Sequence, residues 1–197
     1  MKRIIALLLL VVITTACFSS CNSEEFVYDE NKTYYATIEI IDYGTIVVQL
    51  NSVQAPKTVE NFVNLCVSGF YDGLTFHRII EGFMMQGGDP LGTGRGGSDK
   101  NVVGEFSANG YINTLSHKRG VISMARSASY NSGSSQFFIC HQDKPHLDGK
   151  YAAFGIVIEG IEVVDKVCTE AQPIDNNGTI PKANQPVIEK ITITWDE

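Results

Sequence analysis

From Thr37 onward the apolar residues fall into short runs. Long amphipathic stretches of the kind a helical bundle needs are absent, which directs the chain toward a strand-rich fold. Thr37–Ile41, Gly44–Leu50, Leu74–Ile80, Val121–Ala125, Gln136–Cys140, Ala152–Val157 and Val187–Thr194 are strand-like, several of them rich in β-branched or aromatic residues. Asp42-Tyr43-Gly44 joins the first two runs as a hairpin. One helix is expected over Thr58–Ser68, where Val59, Phe62, Val63 and Cys66 recur at helical spacing between Pro56 and Gly69. Val163–Val167 predicts a helical turn or more. Residues 87–120 are glycine-rich and aperiodic and read as mostly loop, as do residues 169–186 with their three prolines. The fold class expected is mainly β: a closed or nearly closed barrel with one or two helices.

Hydrophobic residues make up 44% and charged residues 19% of the 197, an ordinary composition for one globular domain. A formal charge of −7 argues against a sequence-independent nucleic-acid binder, which needs a basic face. The N-terminus differs from the rest. Lys2 and Arg3 precede the unbroken apolar run Ile4–Ile13, too short to span a membrane, which takes about 20 residues, and this reads as a secretory leader. Thr-Thr-Ala-Cys17 and Phe-Ser-Ser-Cys21 each resemble the bacterial lipoprotein box. Cys21 is favoured because the polar run Asn22-Ser23-Glu24-Glu25 follows it, and Cys17 is the alternative. The expected organisation is a leader over 1–20, a tether over 21–33 and a domain over 34–197. The chain would then be exported and held by lipid to a cell-envelope membrane, on the periplasmic side or at the outer membrane. Cys66, Cys140 and Cys168 show no CxxC spacing and read as buried thiols.

Gly92-Thr93-Gly94-Arg95-Gly96-Gly97 satisfies GxGxxG, but its flanks are neither strand nor helix, so it reads as a flexible surface loop rather than a dinucleotide site. His77, His117, His141 and His146 form no recognised metal-ligand spacing. A nucleophile elbow GxSxG is missing.

The distinctive blocks lie elsewhere. Phe76-His77-Arg78-Ile79-Ile80 sets an arginine inside an apolar strand, and Gly82-Phe83-Met84-Met85-Gln86-Gly87-Gly88 follows at once. Strand alternation places Phe76, Arg78 and Ile80 on one face, with His77 and Ile79 on the other. Ile122-Ser123-Met124-Ala125-Arg126, Ser134-Ser135-Gln136-Phe137-Phe138-Ile139-Cys140 and His146-Leu147-Asp148-Gly149-Lys150-Tyr151 come next. In this order and at these separations the blocks resemble the cyclophilin signature, over roughly residues 34–195.

That resemblance implies an eight-stranded antiparallel closed β-barrel capped by two α-helices. It also implies peptidyl-prolyl cis-trans isomerase activity on proline-containing polypeptides, with no metal or other cofactor. Arg78, Phe83 and Gln86 would be catalytic. Phe83, Met84, Phe138 and Leu147 would line the hole for the proline ring, and Ala125 and Arg126 would hold the substrate main chain. Gln86 and Gln136 would bond substrate and orient Arg78, while His146 and Tyr151 would sit at the rim and His77 would be structural. The family's best-known members carry tryptophan where this chain has His146, so weak cyclosporin binding is expected. A monomer is expected. A proline-peptide binding module or chaperone with little turnover would use the same hole and is the alternative reading.

Overall fold

The computed structural model describes residues 26–196. The expected leader and both lipidation candidates, Cys17 and Cys21, therefore lie outside the described residues. No helix among the described residues is long and apolar enough to cross a membrane.

Burial alternates along β1 (Tyr34–Ile40) and β2 (Gly44–Leu50), the expected hairpin. Tyr34, Ala36, Ile38 and Ile40 point to the core, as do Ile46, Val48 and Leu50. Helix α1 (Pro56–Val67) starts two residues before the predicted helix because proline is tolerated at its first position. It buries Val59, Phe62, Val63 and Cys66. Gly69, at φ +71°, closes it: its N–H bonds Cys66 O, and that of Phe70 bonds Leu65 O. There follow β3 (Thr75–Ile80), β4 (Met84–Asp89), β5 (Val121–Met124), β6 (Phe137–Cys140), β7 (Ala153–Glu159), α2 (Ile161–Glu170) and β8 (Ile188–Trp195). Strand β4 is hidden from the strand pattern by its glycines. A Cβ on Gly87 would come within 2.8 Å of Phe76 Cδ1, and Gly88 sits at φ +79° against Ser135 O. Glycine there permits close strand packing.

The sheet is built of antiparallel pairs in the order β3-β4-β6-β5-β7-β2-β1-β8. It curves into a half-barrel and is open, which corrects the closed barrel expected from sequence. The edge strands meet only at one corner, through the Thr75–Val187 bridge and the bonds Gly73 N–H to Ile188 O and Phe76 N–H to Pro186 O. Beyond that corner the loop between α2 and β8 takes over the edge of β3: Ile79 N–H bonds Gly178 O, and Ile180 N–H bonds His77 O. The loop thereby satisfies edge groups that a closing strand would otherwise pair.

Phe26 packs on Tyr34 and Trp195, Tyr28 stacks on Tyr34 at 5.0 Å, and Asp29 N–H bonds the Tyr34 hydroxyl. Phe26, Tyr28 and Asp29 therefore lie against the domain. Cys66, Cys140 and Cys168 are free and buried.

Candidate active site

The sheet has two apolar faces. Its inner face joins the main core through Met85, Ile122, Met124, Phe137 and Ile139. The alternate residues Met84, Phe138 and Cys140, with Ala125 and Leu147, form a second cluster on the outer face, flanked by Ile80, Phe83 and Tyr151. Period 2 thus turns one set of strands into both core and site.

Strand β3 departs from simple alternation. Phe76 and Arg78 oppose Gly87 and Gln86, which are adjacent residues, so a bulge falls at His77. Phe76 therefore joins the inner core with Ile79, and only Arg78 and Ile80 face the site. This corrects the expectation that Phe76 shares a face with Arg78. His77 is left buried, with both ring nitrogens lacking a protein partner.

Across the outer face Arg78 opposes Gln86, Gln86 opposes Phe138, and Phe138 opposes Ser123. This row runs over β3, β4, β6 and β5. Beside it lies a cavity of about 150 Å³ lined by Phe83, Met84, Phe138 and Leu147, with Arg78, Gln86, Ala125, Arg126 and Tyr151 around them. The Arg78 guanidinium is 5.8 Å from the Phe83 ring centre. Its Nε donates to Asn177 O at 2.7 Å and its Nη1 to Gln86 Oε1 at 3.3 Å. Nη2 makes no hydrogen bond among the described residues, and none of the ion pairs there involves Arg78. Burial draws Arg78 below the usual arginine value, yet a guanidinium stays protonated. The cation is therefore anchored at one edge and open at the other.

Of the other expected residues, Gln136 lies one step back, its Oε1 accepting from Gln86 Nε2 at 2.9 Å. It lines a neighbouring polar cavity of about 220 Å³ with Ser127, Ser132 and Ser134. The Arg126 side chain turns away, donating to Lys150 O and Ser127 O and lying 4.6 Å from the Tyr151 ring centre. His146 is exposed, 6.0 Å from the Phe83 ring centre, and does not line the hole. Cys140 backs the cluster, and burial pushes its thiol up to about 12, so it is no nucleophile at neutral pH.

Two supports escaped sequence reasoning. Asn177, in a loop 99 positions from Arg78, offers only a main-chain carbonyl, which no side-chain pattern reveals. His117 stacks on Phe138, rings 16° apart, and bonds Ser123 Oγ at 2.9 Å and Asp148 Oδ1 at 2.8 Å. The order Ser–His–Asp imitates a hydrolytic triad, but Ser123 is 0% exposed and cannot reach a substrate. Here the histidine braces Phe138 and the Leu147–Asp148 turn.

The comparisons with known proteins agree with this geometry. The family model described as cyclophilin type peptidyl-prolyl cis-trans isomerase/CLD matches residues 35–194. The chain is a member of the cyclophilin family. A peptidyl-prolyl cis-trans isomerase of Helicobacter pylori is 48% identical to this cyclophilin over 138 residues, 69% of this chain and 81% of that one. Peptidyl-prolyl cis-trans isomerase-like 3 of Rattus norvegicus is 46% identical over 153 residues, 77% of this chain and 91% of its own length. Among solved structures, a Cryptosporidium parvum cyclophilin crystallised in the presence of the dipeptide Ala-Pro superimposes with a TM-score of 0.72 at 32% identity, covering 82% of this chain and 99% of that one. The cyclophilin described here is a peptidyl-prolyl cis-trans isomerase.

Burial lowers the pKa of His77 and of His117 below the ordinary histidine value. The unfolded chain then binds protons that the fold refuses, so stability is full above the unfolded value of about 6.5 and falls as pH drops below it. His77→Leu removes one of these groups together with two unpartnered nitrogens. Between pH 7.5 and 5.5 its melting temperature should fall less than that of the wild type, and an equal or larger fall would show that His77 is not the group refusing the proton.

Proposed function

We propose that this cyclophilin accelerates rotation about X–Pro bonds in unfolded or exported polypeptides, with Arg78 donating a hydrogen bond to the prolyl nitrogen as the amide twists. The observation that carries the reading is the guanidinium: fixed through Nε and Nη1, open at Nη2, unpaired with any carboxylate among the described residues, and placed at the mouth of an apolar hole. Planar amide resonance sets a barrier of about 20 kcal/mol. Twisting returns a lone pair to nitrogen, so a donor aimed there bonds the transition state and not the ground state. Phe83, Met84, Phe138 and Leu147 grip the ring. Gln86 and Gln136 hold the guanidinium, and Ala125 and Arg126 present main chain to the substrate. Exclusion of water by the aromatic wall strengthens the bond.

Exchange NMR on a proline peptide tests the activity. Catalytic amounts of the protein should merge the cis and trans signals. Peptide binding without exchange would favour the alternative, a proline-peptide binding module or chaperone. The polar cavity beside Gln136 supports broad tolerance of the residue preceding proline.

The N-terminal sequence supports an exported, lipid-anchored cyclophilin, with Cys21, or alternatively Cys17, carrying the lipid on the periplasmic side or at the outer membrane. Mass spectrometry of the mature N-terminus would find the acylated cysteine, and an unmodified or cytoplasmic full-length chain would sink the idea. A monomer is proposed. Weak cyclosporin binding follows from His146, which offers less apolar surface at the rim than the indole that the resemblance leads one to expect. His146→Trp should tighten cyclosporin binding about tenfold, whereas tight, sub-micromolar inhibition of the wild type would contradict the argument.

A further inference from the structure

The loop after β4 carries the GxGxxG pattern, and its backbone N–H groups do converge on an anion, one supplied by the chain itself. Asp89 is 1% exposed. Its Oδ1 accepts from Leu91 N–H at 2.8 Å, and its Oδ2 accepts from Thr93, Gly94 and Arg95 N–H at 2.9, 2.6 and 3.1 Å. A Cβ on Gly96 would run into Asp89 Oδ1. The segment read as a flexible surface loop is thus wound around a buried carboxylate. Burial alone would raise the Asp89 pKa, but the surrounding N–H groups hold it below the usual carboxylate value.

The far end of this loop touches the site. Gly96 O accepts from Gln136 Nε2 at 2.7 Å, Gln136 Oε1 from Gln86 Nε2 at 2.9 Å, and Gln86 Oε1 from Arg78 Nη1 at 3.3 Å. The chain has a direction. A carbonyl can only accept and a guanidinium can only donate, so the two ends dictate which way each amide points. If Gly96 O moves, Gln136 is free to turn over. Gln86 is then held only by the bond from Arg78 Nη1, and the guanidinium loses the brace behind its acceptor.

We propose that Asp89 is a positioning residue for the isomerase reaction: by fixing the carbonyl of Gly96 it orients Gln136, Gln86 and, through them, Arg78. This rests on Arg78 being the group that acts on the prolyl bond. The proline hole does not depend on the loop, so the effect belongs in turnover rather than in binding.

Asp89→Asn keeps the size of the side chain but cannot accept at both ends. Its kcat on a proline peptide should fall about tenfold with KM held within about twofold. In a Gln136→Ala background, where the relay is already cut, the same substitution should lower kcat by less than about twofold more. Gly96→Ala breaks the contact from the loop side while keeping the carboxylate, and should behave alike. It supplies both readouts if Asp89→Asn does not fold. Folded variants with wild-type kcat, or losses that multiply undiminished in the Gln136→Ala background, would overturn the proposal. Should Arg78→Ala itself turn over like wild type, the reading of the site fails. Should Arg78→Ala be slow while Asp89→Asn and Gly96→Ala are not, only this relay fails.

Discussion

Arg78→Ala should lower kcat/KM on a proline peptide about a hundredfold, equivalent to about 2.7 kcal/mol of transition-state stabilisation. That figure lies toward the top of the range of about 1.5–3 kcal/mol for a hydrogen bond to a charged group, because the donor works beside Phe83 and within an apolar wall. It does not account for the whole acceleration. Clamping the ring among Met84, Phe138 and Leu147 supplies a further part, so the variant should retain measurable activity over the uncatalysed rate. Arg78→Lys should rescue little of the loss. The ammonium keeps the charge but cannot hold Asn177 O and Gln86 Oε1 through Nε and Nη1 while aiming a third donor at the substrate. A Lys variant near wild-type rate would mean that charge alone suffices. A circular-dichroism melt should show both variants folded, since Arg78 faces the outer side of the sheet and not the main core.

The largest stability effect is expected at Glu105. Helix α1 begins after Ala55, whose side chain cannot cap it. The missing cap comes from a distant loop: the Glu105 carboxylate accepts from Lys57 N–H at 2.9 Å, Thr58 N–H at 2.8 Å and Thr58 Oγ1–H at 2.7 Å. These are the second and third helical N–H groups, the ones an N-cap side chain ordinarily satisfies. The carboxylate also meets the positive end of the helix dipole. Glu105 is 2% exposed, so water cannot replace it. Glu105→Ala leaves two N–H groups and a hydroxyl unpartnered at once and should cost about 3 kcal/mol. For a domain of this size that is a fall in melting temperature of about 6–12 °C. Glu105→Gln should fall between, because one oxygen still accepts. A melt unchanged in the Ala variant would show that the cap contributes nothing.

The site was legible in the sequence where chemistry sits in side chains on regular strands. Arg78, Phe83, Met84, Gln86, Ala125, Arg126, Phe138, Leu147 and Tyr151 surround one cavity, and Gln136 stands behind Gln86. What escaped was carried by main chain or by irregularity. The bulge at His77 moved Phe76 to the core face, and nothing in Phe-His-Arg marks a bulge. Strand β4 was obscured because Gly87 and Gly88 are needed for close packing and also read as loop. Barrel closure depends on whether β3 and β8 pair along their length, a long-range matter decided by the loop at Gly178–Ile180. The flanks of the GxGxxG segment separate it from nucleotide motifs in the sequence, but its order around Asp89 comes from N–H groups that every residue type shares.

The central claim is that Arg78 bonds the twisted amide and not the planar one. Measuring the dissociation constant of a proline peptide and its catalysed exchange rate on the same samples of wild type and Arg78→Ala tests it most directly. The account predicts affinity within about twofold and exchange slowed about a hundredfold. Affinity and exchange lost in equal measure would make Arg78 a ground-state binding residue, and unchanged exchange would remove it from the reaction.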